Sequence, residues 1–149
     1  MNILFVCTGN TCRSCMAEAI FNYINDNKDI CSRSVGLSIV KGSVTSLNSA
    51  EIVKSKLGLD LTKRKAIQCS KDDIKNSNII LTMTSHMKDM LISAFPEEKE
   101  KIFSLNEYVG VKGDIIDPYG GTITFYEKTF FDLEKSIRLL LEKLKGDRV

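Results

Sequence analysis

The chain has 149 residues, 43% of them hydrophobic and 27% charged, with a formal net charge of +2. That length suits one domain, residues 1–149, able to bury a core without metal or disulfide staples. The interleaved charges exclude the broad cationic stripe of a nucleic-acid binder, no apolar run is long enough to cross a bilayer, and five cysteines in an odd set without framework spacing point to a reducing cytoplasm. The start of the chain also lacks the basic, apolar and small-residue pattern of a leader.

The elements are taken in chain order. Ile3–Val6 is a continuous apolar run with β-branched and aromatic members, which predicts a strand buried on both faces. From Ser14, the residues Met16, Ile20, Tyr23 and Ile24 recur at helical spacing until Asn25-Asp26-Asn27 ends the pattern. An extended segment is expected over Ser32–Leu37, then a helix over Ala50–Leu57 closed by Gly58 in the left-handed conformation. Asn78–Met83 repeats the buried-strand signature, and Ser85–Phe95 is a helix that must stop before Pro96. Lys101–Leu105 is a short further strand. Tyr126, Phe130, Leu133, Ile137, Leu140 and Leu144 form one apolar stripe on a long amphipathic helix. Strands alternating with helices predict an α/β fold with a parallel sheet covered on both faces, and such sheets bind ligands beyond the carboxyl ends of their strands.

Cys7 stands at one of those carboxyl ends. The segment Thr8-Gly9-Asn10-Thr11-Cys12 follows, and Gly9 and Asn10 both tolerate left-handed backbone angles, so the chain can curl and turn successive amide hydrogens inward. A curled loop that runs into a helix N-terminus is a phosphate site. The expected phosphate-binding residues are Thr8, Gly9, Asn10, Thr11, Cys12, Arg13 and Ser14. The same field, together with Arg13, favours a thiolate at Cys7, and Ser14 can donate its hydroxyl to that sulfur. The spacing Cys-x5-Arg-Ser has a physical reason: a loop of that length wraps a tetrahedral dianion and returns a planar guanidinium able to grip two of its oxygens.

CTGNTCRS near the amino end and DPYGG near the carboxyl end resemble the low-molecular-weight protein tyrosine phosphatase family, and most closely its bacterial protein arginine phosphatase branch. The similarity extends over nearly the whole chain, including LTM followed by a helix and NEYV before the acidic loop. It implies a three-layer sandwich with a four-stranded parallel sheet flanked by helices, the phosphatase-I-like fold. It also implies a cysteine-dependent phosphatase with Cys7 as nucleophile, Arg13 as phosphate binder and Asp117 as general acid. Pro118 holds Asp117 extended, and Tyr119-Gly120-Gly121 places it on a loop able to lean over the phosphate site. The expected reaction needs no metal and no cofactor. Its partners would be phosphorylated proteins, with phosphate or other oxyanions in the loop and neither nucleic acid nor membrane, and the chain would act as a monomer.

Thr11 and Tyr119 bear on specificity. Tyrosine phosphatases of the family commonly carry isoleucine at the position of Thr11, whereas the arginine phosphatases carry threonine, so phosphoarginine is the expected substrate and phosphotyrosine the alternative. Cys12 is the expected redox residue, close enough to Cys7 for a reversible disulfide. Cys15 replaces a proline usual in the family and is either a bystander or a competing resolving thiol. Cys31 and Cys69 are expected as packing residues, His86 as a surface or capping residue, and the charge runs at 63–65 and 97–101 as solvated faces. Two other classes share the strand-end cysteine: an arsenate reductase, whose later cysteine pair is not evident here, and a phosphocysteine carrier domain, which has no use for Arg13 with a proton-donating Asp117.

Overall fold

The computed structural model describes residues 1–146. Four parallel strands, β1 (Asn2–Cys7), β2 (Cys31–Gly36), β3 (Ile79–Thr82) and β4 (Ile102–Ser104), form one sheet in the order β2-β1-β3-β4. The expected α/β sandwich with a four-stranded parallel sheet is therefore the observed one. Side chains alternate across a strand, and β1 shows why its run had to be apolar throughout. Ile3, Phe5 and Cys7 enter a core with α1 (Arg13–Ile24), α2 (Leu47–Leu57) and α6 (Ile123–Gly146), while Leu4 and Val6 enter a second core with α3 (Lys71–Asn76) and α4 (Ser85–Ala94). The α6 stripe is buried as its spacing predicts, from Tyr126 to Leu144. No described helix is long and apolar enough to cross a membrane.

The helices differ from expectation where capping outranks apolar periodicity. α2 begins before Ala50, because the Ser46 side chain accepts the Ser49 N–H at 3.3 Å and caps the helix there, and it ends on Gly58 at φ 72° as expected. α3 and α5 (Leu105–Val109) lack a long apolar stripe, and both start on capping boxes, Ser70 with Asp73 and Ser104 with Glu107. Past α4, Pro96–Lys101 forms a tight 3₁₀ turn tied by a Glu98–Lys101 ion pair at 3.0 Å.

Two expectations about cysteines need separating. Cys69 is half-buried against the second core, and burial pushes its thiol up to about 11. Cys31 is not a packing residue. It stands exposed at the start of edge strand β2, where its Sγ donates to Asn2 Oδ1 at 3.0 Å. His86 lies exposed in the first turn of α4, in keeping with a surface role.

β1 is central, and the chain leaves it for β2 on one side and returns to β3 on the other, so its carboxyl end is the point where the sheet's winding reverses. Cys7 is paired with Gly36 there, with Leu37 N–H donating to Cys7 O at 2.9 Å and Ser38 N–H to Thr8 O at 3.0 Å. Gly36 has no room for a side chain: a Cβ would sit 2.7 Å from Thr8 O and 3.1 Å from Asn10 Cβ. Gly36→Ala must therefore push on the loop itself, and we expect it to destabilise the fold by about 1–3 kcal/mol, the usual cost of overpacking. Urea unfolding measures this, and an unchanged midpoint would contradict the close approach.

Candidate active site

The loop after Cys7 is built around Asn10, which is fully buried and the one non-glycine among the described residues with positive φ, 56°. Of the two residues that tolerate left-handed angles, Asn10 alone adopts one; Gly9 keeps an ordinary φ. A buried left-handed asparagine needs compensation for its backbone strain and its polar amide. It receives both from distant residues. Asn10 Oδ1 accepts the Ile67 N–H at 2.9 Å and Arg64 Nη1 at 3.1 Å, and its Nδ2 donates to Ser14 Oγ at 2.7 Å and Ser34 Oγ at 3.0 Å.

This pattern fixes the orientation of the Asn10 amide. A backbone N–H and a guanidinium can only donate, so the carbonyl end of the Asn10 amide must face them and its NH2 must face the serines. Ser14 Oγ is then an acceptor toward Asn10, and its own proton is available to Cys7 Sγ, 2.8 Å away. The Asn10 N–H adds a second donor to the same sulfur at 3.2 Å. Cys7 Sγ is thus held between the Asn10 N–H and the Ser14 hydroxyl at the carboxyl end of β1.

Arg64 is the residue that sequence reasoning missed. The run at 63–65 is expected as a solvated face, but Arg64 turns inward while Lys63 and Lys65 stay exposed. Besides Asn10 it donates to Ser34 Oγ at 2.7 Å and pairs with Glu18 Oε1 at 3.3 Å, while Ser34 Oγ donates to the same Glu18 oxygen at 2.6 Å. An antiparallel bridge between Val44 and Lys65 holds the segment against the 38–48 stretch.

Arg13, at the start of α1, is 5% exposed and anchored by Nη1 donating to Ile115 O at 3.0 Å. Ile115 N–H is in turn bonded to Met83 O at 3.0 Å, which ties the acidic loop to the end of β3. Arg13 Nη2 stands 3.7 Å from Asp117 Oδ2, while Asp117 Oδ1 accepts the Tyr119 N–H at 3.0 Å. The structure therefore brings Cys7, Arg13 and Ser14 into one loop and places Asp117 beside the same guanidinium. Asp117 is half exposed and Tyr119 is 81% exposed, both at the mouth. A cleft of about 390 Å³ flanked by Ile116, Pro118, Tyr119 and Phe125 opens beside this loop.

Thr8 is exposed and Gly9 and Thr11 are half-buried, on the rim of the same loop. Thr11 O accepts the Ser46 N–H at 3.0 Å, which fastens the loop to the head of α2. Cys12 is buried, with its Sγ donating to Ser46 Oγ at 3.4 Å and lying 3.9 Å from the Tyr126 hydroxyl. Burial, with Cys12 adding to it, pushes that hydroxyl up to about 12, so it stays neutral.

The family described as low molecular weight phosphotyrosine protein phosphatase matches this chain over residues 2–149. The chain belongs to this family. The Protein-arginine-phosphatase of Geobacillus stearothermophilus is 41% identical to it over 150 residues, covering 98% of this chain and 97% of the relative. The low molecular weight protein-tyrosine-phosphatase PtpB of Staphylococcus epidermidis is 39% identical over 141 residues, covering 93% and 97%. Among solved structures, a C7S mutant of YwlE arginine phosphatase with a phosphorylated active site serine superposes with a TM-score of 0.92 at 35% identity, covering 99% of this chain and 98% of that one.

Arg64→Ala removes the charged donor from Asn10, Ser34 and Glu18 together. We expect a stability loss of about 1.5–3 kcal/mol, the range for a hydrogen bond to a charged group, with a lower kcat and a smaller change in KM. Arg64→Lys should recover part of the stability and less of the kcat, because one ammonium cannot span the three partners. Equal kinetics for wild type and Arg64→Ala would remove Arg64 from the positioning role.

Proposed function

We propose that this member of the family is a cysteine-dependent protein phosphatase that acts on phosphoarginine in preference to phosphotyrosine. The observation that carries the reading is Cys7 Sγ held by the Ser14 hydroxyl at 2.8 Å and the Asn10 N–H at 3.2 Å, inside a loop closed by Arg13. The relative whose serine at this position carries phosphate supports Cys7 as the acceptor.

In the first step Cys7 Sγ attacks phosphorus in line. An S–P bond forms, the bond from phosphorus to the leaving nitrogen or oxygen breaks, and Asp117 gives its proton to the departing atom. In the second step Asp117 takes a proton from water, the resulting hydroxide attacks phosphorus, and the S–P bond breaks to return the thiolate. Charge on the equatorial oxygens is met by the loop amides from Thr8 to Ser14 and by the Arg13 guanidinium. Once phosphate engages Arg13, the guanidinium is shared between phosphate and Asp117, which places the acid beside the leaving group.

Thr11 supports the arginine preference: it stands on the rim, and a threonine there offers a hydroxyl and less apolar bulk to a polar, planar guanidinium than isoleucine would. Tyr119, exposed across the mouth, supplies a ring face for the same group. The reading extends to residues 1–149 as one catalytic domain, working as a monomer in the cytoplasm on phosphoproteins.

Initial rates on phosphoarginine and phosphotyrosine peptides test the preference. Wild type should favour phosphoarginine and Thr11→Ile should move the ratio toward phosphotyrosine; a shared preference for phosphotyrosine with an unchanged ratio would refute it. Asp117→Ala should slow turnover by about 10²–10⁴-fold, the usual worth of a positioned acid. An unaffected rate would take Asp117 out of the proton transfer.

A further inference from the structure

The first turn of α1 carries a thiol that phosphate transfer does not use. Cys12 is the N-cap of the helix and Cys15 lies three residues on, so Cys12-Arg13-Ser14-Cys15 forms a Cys-x-x-Cys pair at a helix N-terminus within a strand-helix-strand unit. That placement is the one in which dithiols of reducing compartments exchange disulfides. Cys15 is 1% exposed, and its Sγ donates to the carbonyl oxygen of Cys12 itself at 3.1 Å. We propose that Cys12 and Cys15 are a resolving dithiol that takes an oxidising equivalent off Cys7 and returns the nucleophile to its reduced state.

The proposal rests on the reading of Cys7 as a nucleophilic thiolate, and its steps balance with hydrogen peroxide as oxidant. Peroxide oxidises the Cys7 thiolate to a sulfenic acid, releasing hydroxide, which leaves as water. The Cys12 thiol attacks the sulfenic sulfur, forming the Cys7–Cys12 disulfide and a second water. Cys15 then attacks the Cys12 sulfur. The new S–S bond joins Cys12 to Cys15, the old one breaks, and Cys7 leaves as a thiolate while the Cys15 proton passes to solvent.

The direction of the last step follows from the site. In thiol–disulfide exchange the better-stabilised thiolate is the better leaving group, and Cys7 departs into the Asn10 N–H and the Ser14 hydroxyl. The hydroxyls around Cys12 Sγ, those of Ser46, Tyr126 and Thr11, stand 3.4–3.9 Å away, farther than the 2.8 and 3.2 Å contacts at Cys7. Burial, with Cys7 adding to it, pushes the Cys15 thiol well up, which makes it a poor target for peroxide and makes its attack on the disulfide the slow step of the relay. The geometry asks for a small adjustment: residues three apart on a helix have Cβ atoms about 5–6 Å apart, against about 3.5–4.5 Å across a disulfide. Cys12, at φ −128° and ψ −88°, lies outside the helical region and can absorb that shift.

Trypsin makes the test decisive, because it cuts after Arg13 and separates Cys12 from Cys15. The full-length protein is treated with limiting hydrogen peroxide, blocked with iodoacetamide, digested and mapped by mass spectrometry without reductant, with phosphatase activity read in parallel. In wild type we expect the peptide Met1–Arg13 linked to Ser14–Lys28 through Cys12 and Cys15, Cys7 alkylated, and activity retained before blocking. Cys15→Ala and Cys15→Ser should instead hold an internal Cys7–Cys12 disulfide within Met1–Arg13 and lose activity until thiol is added. An internal disulfide with equal loss of activity in wild type and both variants overturns the relay while leaving the phosphatase reading intact, and so does a cross-link that uses Cys7 in place of Cys12. A Cys7 that resists peroxide altogether in an inactive wild type strikes the phosphatase reading itself.

Discussion

The orientation of one buried amide governs the site. Asn10 presents its NH2 to Ser14 because Ile67 and Arg64 occupy its oxygen, and Ser14, accepting from Asn10, keeps its one proton available for Cys7. The bonds run one way, from a cation over 50 residues away in sequence to the sulfur at the end of β1, with Asn10 held in a strained backbone conformation at φ 56°. The interior lowers the effective dielectric constant, so each satisfied bond counts for more, and a broken one costs more, than at the surface. Arg64, Glu18 and Ser34 close the far end so that no charge is left unpaired.

The acidic loop depends on the same economy. Arg13 is the joint between the phosphate loop and the Asp117 loop: its guanidinium is fixed from behind by Ile115 O and faces Asp117 at 3.7 Å. Ile115 hangs from the end of β3 through Met83, so Cys7 and the Asp117 loop are both positioned by neighbouring strands of one sheet. Asp117 and Tyr119 themselves stand half exposed and exposed on either side of the buried Pro118.

Much of this was legible in the sequence, for physical reasons that differ by element. β1 and β3 announce themselves because central parallel strands must be apolar on both faces, and α6 because one stripe must meet the sheet while the rest meets water. Cys7, Arg13 and Ser14 were legible because an anion loop needs a fixed number of residues to close, and Asp117 because Pro118 and two glycines mark its loop. Arg64 was not legible. It lies between two exposed lysines, and the contact that defines its role spans 54 positions and exists only once the chain has folded. The indirect signal was Asn10: a polar residue in a loop of that type will be buried, and a buried amide needs a donor from elsewhere. α3 and α5 were readable from Ser70 with Asp73 and Ser104 with Glu107, had caps been weighed above periodicity. The exposure of Cys31 follows from its place at the start of an edge strand, a fact of topology that composition does not hold.

The account turns on the sulfur of Cys7 being the chain's reactive nucleophile because the Ser14 hydroxyl and the Asn10 N–H both lie within hydrogen-bond reach of it. The most direct measurement is the rate of Cys7 alkylation by iodoacetamide as a function of pH, followed peptide by peptide in wild type and in Ser14→Ala. Faster reaction than free cysteine at neutral pH, with the advantage diminished in Ser14→Ala, is the expected result. A Cys7 that reacts no faster than free cysteine, or whose reactivity ignores the loss of the serine hydroxyl, would contradict it.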